Sequence, residues 1–292
     1  MGSSVAWTRS TRHTAGMPDP LALLKASHPE PGGAVTLAMA LLAVGAGHSE
    51  WGVLGVAAAI GATQLSVGWV NDWLDADRDR VTGRTDKPVA AGAVSRRTVG
   101  IAGLIASLAA PLLGLPFGPA ATICVTLITI FALLYDWPLK STPLSVVPYL
   151  VAFGLMPAFV VLALPGHPWP PAWLVAAGAL LGGGAHFANV LPDLDDDAAT
   201  GVVGLPHRLG ATGSRLAAGA LLLAATLTLV LGPPGPPSWP GLSAAAAAVV
   251  VLPLGWYAAA RSAGKRPVAM FRAVIVVALI DVVLLVLSGP VT

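Results

Sequence analysis

Long apolar segments separated by short polar ones occupy almost the whole chain. Residues 1–20 are polar, include Arg9 and Arg12, and lack the apolar core of a signal peptide. We expect them to form a flexible cytoplasmic tail before a single transmembrane domain over residues 21–292. Windows of roughly 20 mostly apolar residues, the length that crosses a bilayer core, lie at 21–48, 52–74, 95–115, 117–135, 143–164, 170–192, 212–231, 241–260 and 268–287. This pattern predicts an all-α integral membrane protein with nine transmembrane helices.

The composition agrees with a membrane protein and excludes other classes. Of the 292 residues, 55% are hydrophobic and only 10% are charged, whereas soluble domains carry about 25% charged residues. The net charge of +2 provides no basic surface for nucleic acid. The single cysteine, Cys124, lies in an apolar stretch, so no intrachain disulfide can form. Membrane lipid is therefore an expected partner and nucleic acid is not.

The basic residues between the apolar windows fall on one side of the predicted bundle. If the N-terminus is cytoplasmic, the cytoplasmic segments carry Arg78, Arg80, Arg84, Lys87, Lys140, Arg208, Arg261, Lys265 and Arg266. The opposite segments, HSEW, LPF, PGHPWPP, GPPGPPSWP and SGPVT, contain no Lys or Arg. By the positive-inside rule this asymmetry predicts a multi-pass protein, typical of a bacterial cell membrane, with a cytoplasmic N-terminus.

Two sets of polar residues interrupt the apolar pattern at the cytoplasmic end of two predicted helices. Each set has a spacing of four, which places its members on nearly one face of a helix. The first set is Asn71, Asp75, Asp79 and Gly83, with Asp72 beside it; the second is Asn189, Asp193, Asp197 and Gly201. Each member of the second set follows its counterpart by 118 residues. The repetition predicts two facing half-sites with one function, in place of carboxylates that are merely solvated.

The chemistry of two opposed carboxylate sets points to metal ions and phosphate. So many like charges repel one another unless a cation lies between them, and oxygen ligands suit magnesium or manganese. Magnesium keeps few protein ligands and commonly binds substrate phosphates. Metal ions that bridge both sets to a diphosphate would stabilise it as a leaving group. With a hydrocarbon tail between the helices, the substrate would be a prenyl diphosphate.

These residues resemble the motifs of the UbiA superfamily of intramembrane prenyltransferases. The motif NDxxDxxxD matches residues 71–79, and DxxxDxxxG matches residues 193–201. The resemblance begins near residue 20 and includes GRTDKPVAAGAVS, YDWPLK and GLPHRLG. It implies nine transmembrane helices around a central cavity, magnesium as cofactor, and transfer of a prenyl group to an aromatic or other lipophilic acceptor. The charge asymmetry, in turn, predicts that the active site lies on the cytoplasmic face.

The residues and the resemblance together predict the members of the site. Catalytic roles are expected for Asp72, Asp75, Asp193, Asp197 and Tyr135. Contacts to the diphosphate are expected from Asn71, Arg84, Lys87, Lys140, Asn189 and Arg208. Metal ligation is expected from Asn71, Asp75, Asp79, Asp193 and Asp197. A purely topological role stays open for the basic residues and the tyrosine, because basic residues belong on the cytoplasmic face and tyrosine is common at a bilayer interface.

Several other polar residues lie within or near the predicted helices. Asp281 is expected to have a structural partner, because an unpaired charge in a membrane is costly. His186 and Gln64 either line the cavity or form hydrogen bonds in the core. Glu30 falls in the first window. Where family members that bind an aromatic acid carry an arginine before proline, this chain has His28, and this departure disfavours a carboxylated acceptor.

Two alternative functions remain open from the sequence. A UbiA-type terpene cyclase would use the same metal site but capture the carbocation with the substrate's own double bonds, giving a cyclic terpene and diphosphate. A transporter or lipid-binding membrane protein could bind cations at acidic helix ends. Transporters, however, usually place such charges near the membrane midplane, whereas both sets here lie on one face. Prenyl transfer is the preferred hypothesis.

Overall fold

The computed structural model describes residues 19–261 and 268–288, and all regular structure in that part of the chain is helical. The α-helices are α1 Pro20–Lys25, α2 Pro29–Gly45, α3 Glu50–Val81, α4 Arg96–Gly114, α5 Pro119–Asp136, α6 Val147–Leu162, α7 Ala172–Val190, α8 Leu194–Ala199, α9 Leu205–Leu231, α10 Trp239–Ala260 and α11 Ala269–Leu287. Three short 3₁₀ turns are Leu115–Phe117, Leu139–Ser141 and Leu191–Asp193. The all-α prediction is confirmed. The predicted N-terminal tail lies almost entirely outside the described residues.

Each of the nine apolar windows overlaps one long helix of the structure. Within the described ranges, seven helical segments are long and apolar enough to cross a membrane. These segments are α3, α4 with the turn that follows it, α5, α7 together with α8, α9, α10 and α11. Helix α6 is apolar but has only 16 residues, and α2 has 17. The multi-pass architecture is therefore confirmed, whereas the count of nine spans is not.

Two predicted boundaries differ from the structure. The first window, 21–48, is not one helix: α1 ends at Lys25, and α2 begins at Pro29. His28, which precedes that proline, adopts left-handed backbone angles (φ 53°, ψ 61°), an uncommon conformation for a residue other than glycine. The second window ends at residue 74, but α3 continues to Val81. Asp75 and Asp79 of the first set therefore lie on a helical extension beyond the apolar segment.

Close helix contacts depend on small residues at a few positions. A Cβ added to Gly182 of α7 would lie 2.5 Å from Tyr149 O and from Phe153 Cβ of α6. A Cβ added to Gly68 of α3 would collide with the backbone of Ser27. Such small residues let helix backbones approach closely in lipid. The contact at Gly68 presses the turn between α1 and α2 onto α3, and this places His28 over the aspartate set.

The helices surround a central cavity of about 390 Å³. Residues of α2, α3, α5, α6, α7, α9 and α11 form its walls. The end of the cavity that lies between the C-terminal halves of α3 and α7 is polar, and its remaining lining is mostly apolar. The fold thus joins a charged rim to an apolar interior.

Candidate active site

The polar rim of the cavity brings together most of the residues expected from the sequence. Ten of them line it: Asn71, Asp75, Asp79, Arg84, Lys87, Tyr135, Lys140, Asn189, Asp193 and Asp197. Asp72 and Arg208 do not line it. Side chains 118 residues apart thus face one space, as the matched spacing predicts.

The first aspartate set is held by cations from two directions. Asp75 Oδ2 accepts hydrogen bonds from Lys140 Nζ at 2.7 Å and from Arg78 Nη2 at 2.5 Å. Asn71 donates its side-chain amide to Asp136 Oδ1 at 3.3 Å. Asp79 is 4% exposed and borders the cavity. Charge-assisted bonds of this kind are short and fix the carboxylate orientation.

Asp72 forms a separate cluster behind the cavity wall. Its side chain is 1% exposed, and Oδ1 accepts from Lys87 Nζ at 2.6 Å. His28 Nε2 lies 2.9 Å from the same oxygen, while Lys87 and His28 also border the cavity. No hydrogen-bond partner is present for the buried Oδ2 of Asp72 among the described residues. The structure places Asp72 where it can orient Lys87 and His28.

The second aspartate set lies on an interrupted helix. Helix α7 ends at Val190, and Asp193 closes the 3₁₀ turn Leu191–Asp193 that follows. Proline at position 192 lacks the N–H that would continue an α-helix. Asn189 donates to the hydroxyl of Tyr149 at 3.3 Å. The second set therefore depends on a turn, whereas the first lies on a continuous helix.

Cations also approach the second set. Arg84 Nη1 lies 3.3 Å from Asp193 Oδ1, and Arg78 Nη1 lies 3.6 Å from Asp197 Oδ1. Burial alone would lower the pKa of the Arg84 guanidinium, but its hydrogen bonds to Asp86 and the charge of Asp193 raise that pKa above its ordinary value. Arg84 therefore stays charged at the rim.

An aromatic cluster lies next to the aspartates. Tyr135 meets Tyr149 edge to face, with ring centroids 4.8 Å apart, and Tyr149 stacks on Phe153 at 5.7 Å. All three residues line the cavity. His186 lies behind them, 1% exposed, and its Nε2 is 3.1 Å from Ser145 Oγ. His186 is thus a core residue with a hydrogen bond, whereas Gln64 borders the cavity.

Arg208 is exposed and lies outside the cavity lining. Its neighbour His207 points toward the second set instead, with Nε2 3.8 Å from Asp197 Oδ2. Adjacent residues on a helix differ by about 100° in direction, so only one of the two can face the site. Arg208 is therefore not among the residues that line the cavity, because the other of two consecutive basic residues faces the aspartates. Its expected contact to the diphosphate stays a prediction.

The structure adds other cavity residues that the sequence-based prediction did not include, namely Arg78, Asp136 and Tyr149. Arg78 follows Asp75 by three residues, a spacing that shares a helix face, so its position was available in the sequence. Tyr149 comes from α6, and no local pattern connects it with the aspartates.

Two further charged residues have partners away from the rim. Thr226 donates to Asp281 at 2.8 Å between α9 and α11, which is the structural pairing expected for a buried carboxyl group. Glu30 is exposed at the start of α2 and accepts from Arg272 Nε at 2.8 Å. Neither residue lines the cavity.

A family model described as the UbiA prenyltransferase family matches residues 33–280, most of the chain. The protein belongs to the UbiA prenyltransferase family. It is 30% identical over 187 residues to digeranylgeranylglyceryl phosphate synthase of Methanopyrus kandleri, and the matched region covers 63% of this chain and 68% of the relative.

Solved structures of UbiA homologues share the fold. The apo structure of a homologue from Aeropyrum pernix K1 matches with a TM-score of 0.69 and 21% identity, covering 85% of this chain and 94% of that one. A homologue from Archaeoglobus fulgidus bound to GPP and Mg²⁺ matches with a TM-score of 0.63 and 12% identity, covering 91% and 99%. These likenesses confirm the predicted fold.

The carboxylates of this UbiA-family cavity have the ligand chemistry that magnesium requires. Asp75, Asp193 and Asp197 offer carboxylate oxygens to one cavity, and Asn71 and Asn189 offer amide groups. Within residues 19–261 and 268–288, no three His, Cys, Asp or Glu side chains are grouped as a ready-made metal site. Magnesium commonly takes only one or two protein carboxylates together with substrate phosphates. The two half-sites fit that mode of binding.

Proposed function

We propose that the protein is a magnesium-dependent intramembrane prenyltransferase that ionises a prenyl diphosphate and transfers the prenyl group to a lipophilic or aromatic acceptor. The observation that carries the proposal is one cavity with two acidic sets at its rim and an apolar interior. Family membership supports it, as do the names of the relatives, which include a synthase of a prenylated glyceryl phosphate and a homologue bound to GPP and Mg²⁺.

The rim residues have distinct roles in this proposal. Magnesium ions held by the aspartates of both sets would withdraw charge from the diphosphate and favour its departure. Lys140, Arg84 and Lys87 border the same space and can donate charge-assisted hydrogen bonds to phosphate oxygens. Asn71 orients Asp136, and Asn189 orients Tyr149, each by a side-chain hydrogen bond.

The cavity below the rim suits an allylic cation. Tyr135 and Tyr149 line the same cavity as the aspartates, and aromatic faces attract positive charge. The apolar walls exclude the water that would otherwise quench the cation. Catalysis thus divides between a charged rim that removes the diphosphate and an aromatic, dry interior that protects the carbon skeleton.

We propose an uncharged or weakly acidic acceptor. His28 stands where acid-binding family members carry arginine, and its Nε2 is engaged with Asp72 and Lys87. A terpene cyclase is the second candidate function. The row of Tyr135, Tyr149 and Phe153 along the cavity favours it, because ring faces stabilise a migrating cation.

The decisive experiment incubates the purified protein and Mg²⁺ with C10 to C25 prenyl diphosphates, with and without lipophilic phenols or prenylated glyceryl lipids. Prenyl transfer that needs an acceptor and stops in excess EDTA is the expected result. If cyclic hydrocarbon forms at a comparable rate without acceptor, the protein is a terpene cyclase and the proposed prenyl transfer is wrong. Efficient prenylation of 4-hydroxybenzoate would contradict the proposed acceptor class.

We also propose that the aspartate rim faces the cytoplasm. The basis is the absence of Lys and Arg from the segments at the other end of the bundle. The single native cysteine, Cys124, is buried, so introduced cysteines can be labelled selectively. With intact cells, a membrane-impermeant maleimide should label Glu50→Cys and not Arg80→Cys, both at exposed positions. The reverse pattern would invert the orientation.

A further inference from the structure

The cavity has a measurable depth from its polar rim to its apolar end. Its lining runs from His28, the residue before α2, to Leu42 of α2, along α7 from Asn189 to Leu174, and along α11 from Phe271 to Leu285. The first and third paths are 14 residue-to-residue steps long and the second is 15. At a rise of about 1.5 Å per step, all three give a depth of about 21 to 23 Å.

The far end of the cavity is closed by tight helix contacts. A Cβ added to Gly45 of α2 would lie 2.5 Å from Val286 Cγ2 of α11. A Cβ added to Gly232, the residue after α9, would lie 2.5 Å from Trp173 Cβ of α7. The leucines just inside these contacts, Leu42, Leu174 and Leu285, are buried. The depth is therefore set by a floor that a straight tail cannot pass.

The geometry points to a substrate tail of four isoprene units, a C20 prenyl diphosphate. This inference rests on the proposed function. An extended isoprene unit contributes four carbon–carbon bonds and spans about 5 Å. Four units match the depth from rim to floor, two units leave about half of the apolar wall uncovered, and a longer tail has to bend or emerge between helices. Each additional buried unit removes apolar surface from water or lipid contact and fills the cavity.

Ala278 offers a test, because it lines the cavity on α11 midway between Phe271 and Leu285. Ala278→Phe should shorten the usable depth. Release of diphosphate is measured for C10, C15, C20 and C25 substrates in the presence of lipophilic phenols and prenylated glyceryl lipids as acceptors. For the wild-type protein we expect kcat/KM to be highest with C20 and about tenfold lower with C10. The variant should lose about tenfold with C20 and keep its C10 value within about twofold.

Val276→Phe is the matched control, because Val276 lies two residues away on the same helix and is 44% exposed. It should leave the chain-length profile unchanged. Equal turnover of C10 and C20 by the wild-type protein, or equal loss of both in Ala278→Phe, would overturn the inference. If the wild-type protein releases diphosphate from none of the four substrates, either with or without these acceptors, the proposed function itself fails.

A second contact, independent of the cavity depth, concerns Arg78. Its Nη2 donates to Asp75 in the first set at 2.5 Å, and its Nη1 lies 3.6 Å from Asp197 in the second. The side chain is 20% exposed and borders the cavity. One guanidinium therefore bridges the two half-sites from within.

We propose that Arg78 links the binding of divalent cations to the binding of diphosphate. The guanidinium occupies carboxylate oxygens of Asp75 and Asp197 that would ligate a metal ion, and it lies within the same cavity as the phosphates. When diphosphate binds, its oxygens offer Arg78 a new bidentate partner, and the carboxylates become available to the cation. Each ligand should thus tighten the binding of the other, as reciprocal linkage requires.

Binding of Mn²⁺ tests this link without reference to turnover. Calorimetric titrations of the detergent-solubilised full-length chain are compared with and without inorganic diphosphate at buffered free Mn²⁺. For the wild-type protein, diphosphate should tighten Mn²⁺ binding. In Arg78→Gln, we expect Mn²⁺ alone to bind about tenfold more tightly and the effect of diphosphate to shrink by a similar factor.

Arg80→Gln is the matched control, because Arg80 is on the same helix and pairs with the exposed Asp77. It should behave as wild type. Arg78→Lys keeps the charge but loses the planar fork, so its Mn²⁺ affinity should lie between those of wild type and Arg78→Gln. If thermal melts show that Arg78→Gln is misfolded, Arg78→Lys is used for the test instead. Unchanged or weaker Mn²⁺ binding in the Arg78 variants would overturn the proposal.

Discussion

The two aspartate sets end in the same turn. In the first, Gly83 has φ of +67°, Arg84 N bonds to Asp79 O at 2.9 Å, and Thr82 Oγ1 returns to the same carbonyl. In the second, Gly201 has φ of +82°, and the corresponding bonds run from residues 202 and 200 to Asp197 O. The 118-residue repeat thus specifies one local structure twice.

The same sets begin differently. Asn71, Asp75 and Asp79 lie on α3, which is continuous for 32 residues. Asn189 ends α7, Asp193 closes a 3₁₀ turn, and Asp197 belongs to the six-residue helix α8. The first set therefore inherits the rigidity of a long helix, whereas the second is held by short elements.

Equal sequence spacing thus does not imply equal support. The described cations near the second set include Arg84 and Arg78, both supplied by the chain that follows or carries the first set. The second half-site is therefore organised in part by the first. Equivalent substitutions in the two sets should therefore change the activity of the protein by different amounts.

The largest effect is expected from the carboxylates themselves. Asp75→Asn and Asp193→Asn should each lower turnover about 100-fold or more, because each removes a charge that the proposed metal site needs. Steady-state kinetics at saturating Mg²⁺ measure the loss, and a retained melting temperature shows that folding is intact. Asp77→Asn is the control, since Asp77 is exposed and pairs with Arg80 and Arg96. A fully active Asp193→Asn protein would show that the second set is not a half-site equivalent to the first.

The next largest difference is expected between two basic residues, Lys140 near the first set and Arg208 in the segment after the second. Lys140→Ala removes a 2.7 Å bond to Asp75 within the cavity, and we expect KM for the prenyl diphosphate to rise about tenfold. Arg208→Ala should stay within about twofold, because Arg208 is exposed outside the cavity lining. Substrate-saturation curves for both variants decide. An equal rise in KM in both variants would show that Arg208 also contacts the substrate, so that a basic residue beside each set binds the diphosphate.

The helix break is testable at Pro192. Pro192→Ala supplies the missing N–H and allows α7 to continue toward α8, which would turn Asp193 and Asp197 away from their present direction. Turnover should fall several-fold, about fivefold, with no loss of thermal stability. Pro111→Ala in α4 makes the same change in a helix that does not line the cavity, and its turnover should not change. Undiminished activity in Pro192→Ala would mean that the break is not required.

The smallest effect is expected at the paired glycines. Gly83→Ala and Gly201→Ala each place a Cβ in left-handed backbone, at a cost of about 1 kcal/mol, although neither Cβ would meet another atom within 4 Å. The melting temperatures should fall by similar amounts. Activity should fall further in Gly201→Ala, because the six-residue α8 has less support than α3. Identical activity losses in the two variants would show that α8 holds the second set as firmly as α3 holds the first.

Local patterns in the sequence were sufficient for the helical membrane architecture and the two aspartate sets, whereas the turn that ends each set was found only in the structure. Apolar length, charge asymmetry and a spacing of four are properties of neighbouring residues, and neighbouring residues determine helices and turns. The rim positions of Asp75, Asp79, Asp193 and Asp197 follow from the same local rules once the two helices face each other.

The remaining features depend on packing between helices. Whether His207 or Arg208 faces the cavity depends on the rotation of α9 against the second set, which no local pattern determines. Tyr149 reaches Asn189 because small residues of α7 let α6 pack against it, and His28 reaches Asp72 because Gly68 admits the preceding turn. Contacts between helices distant in sequence arise from how side chains fill shared space, so they exist only once the whole bundle has packed.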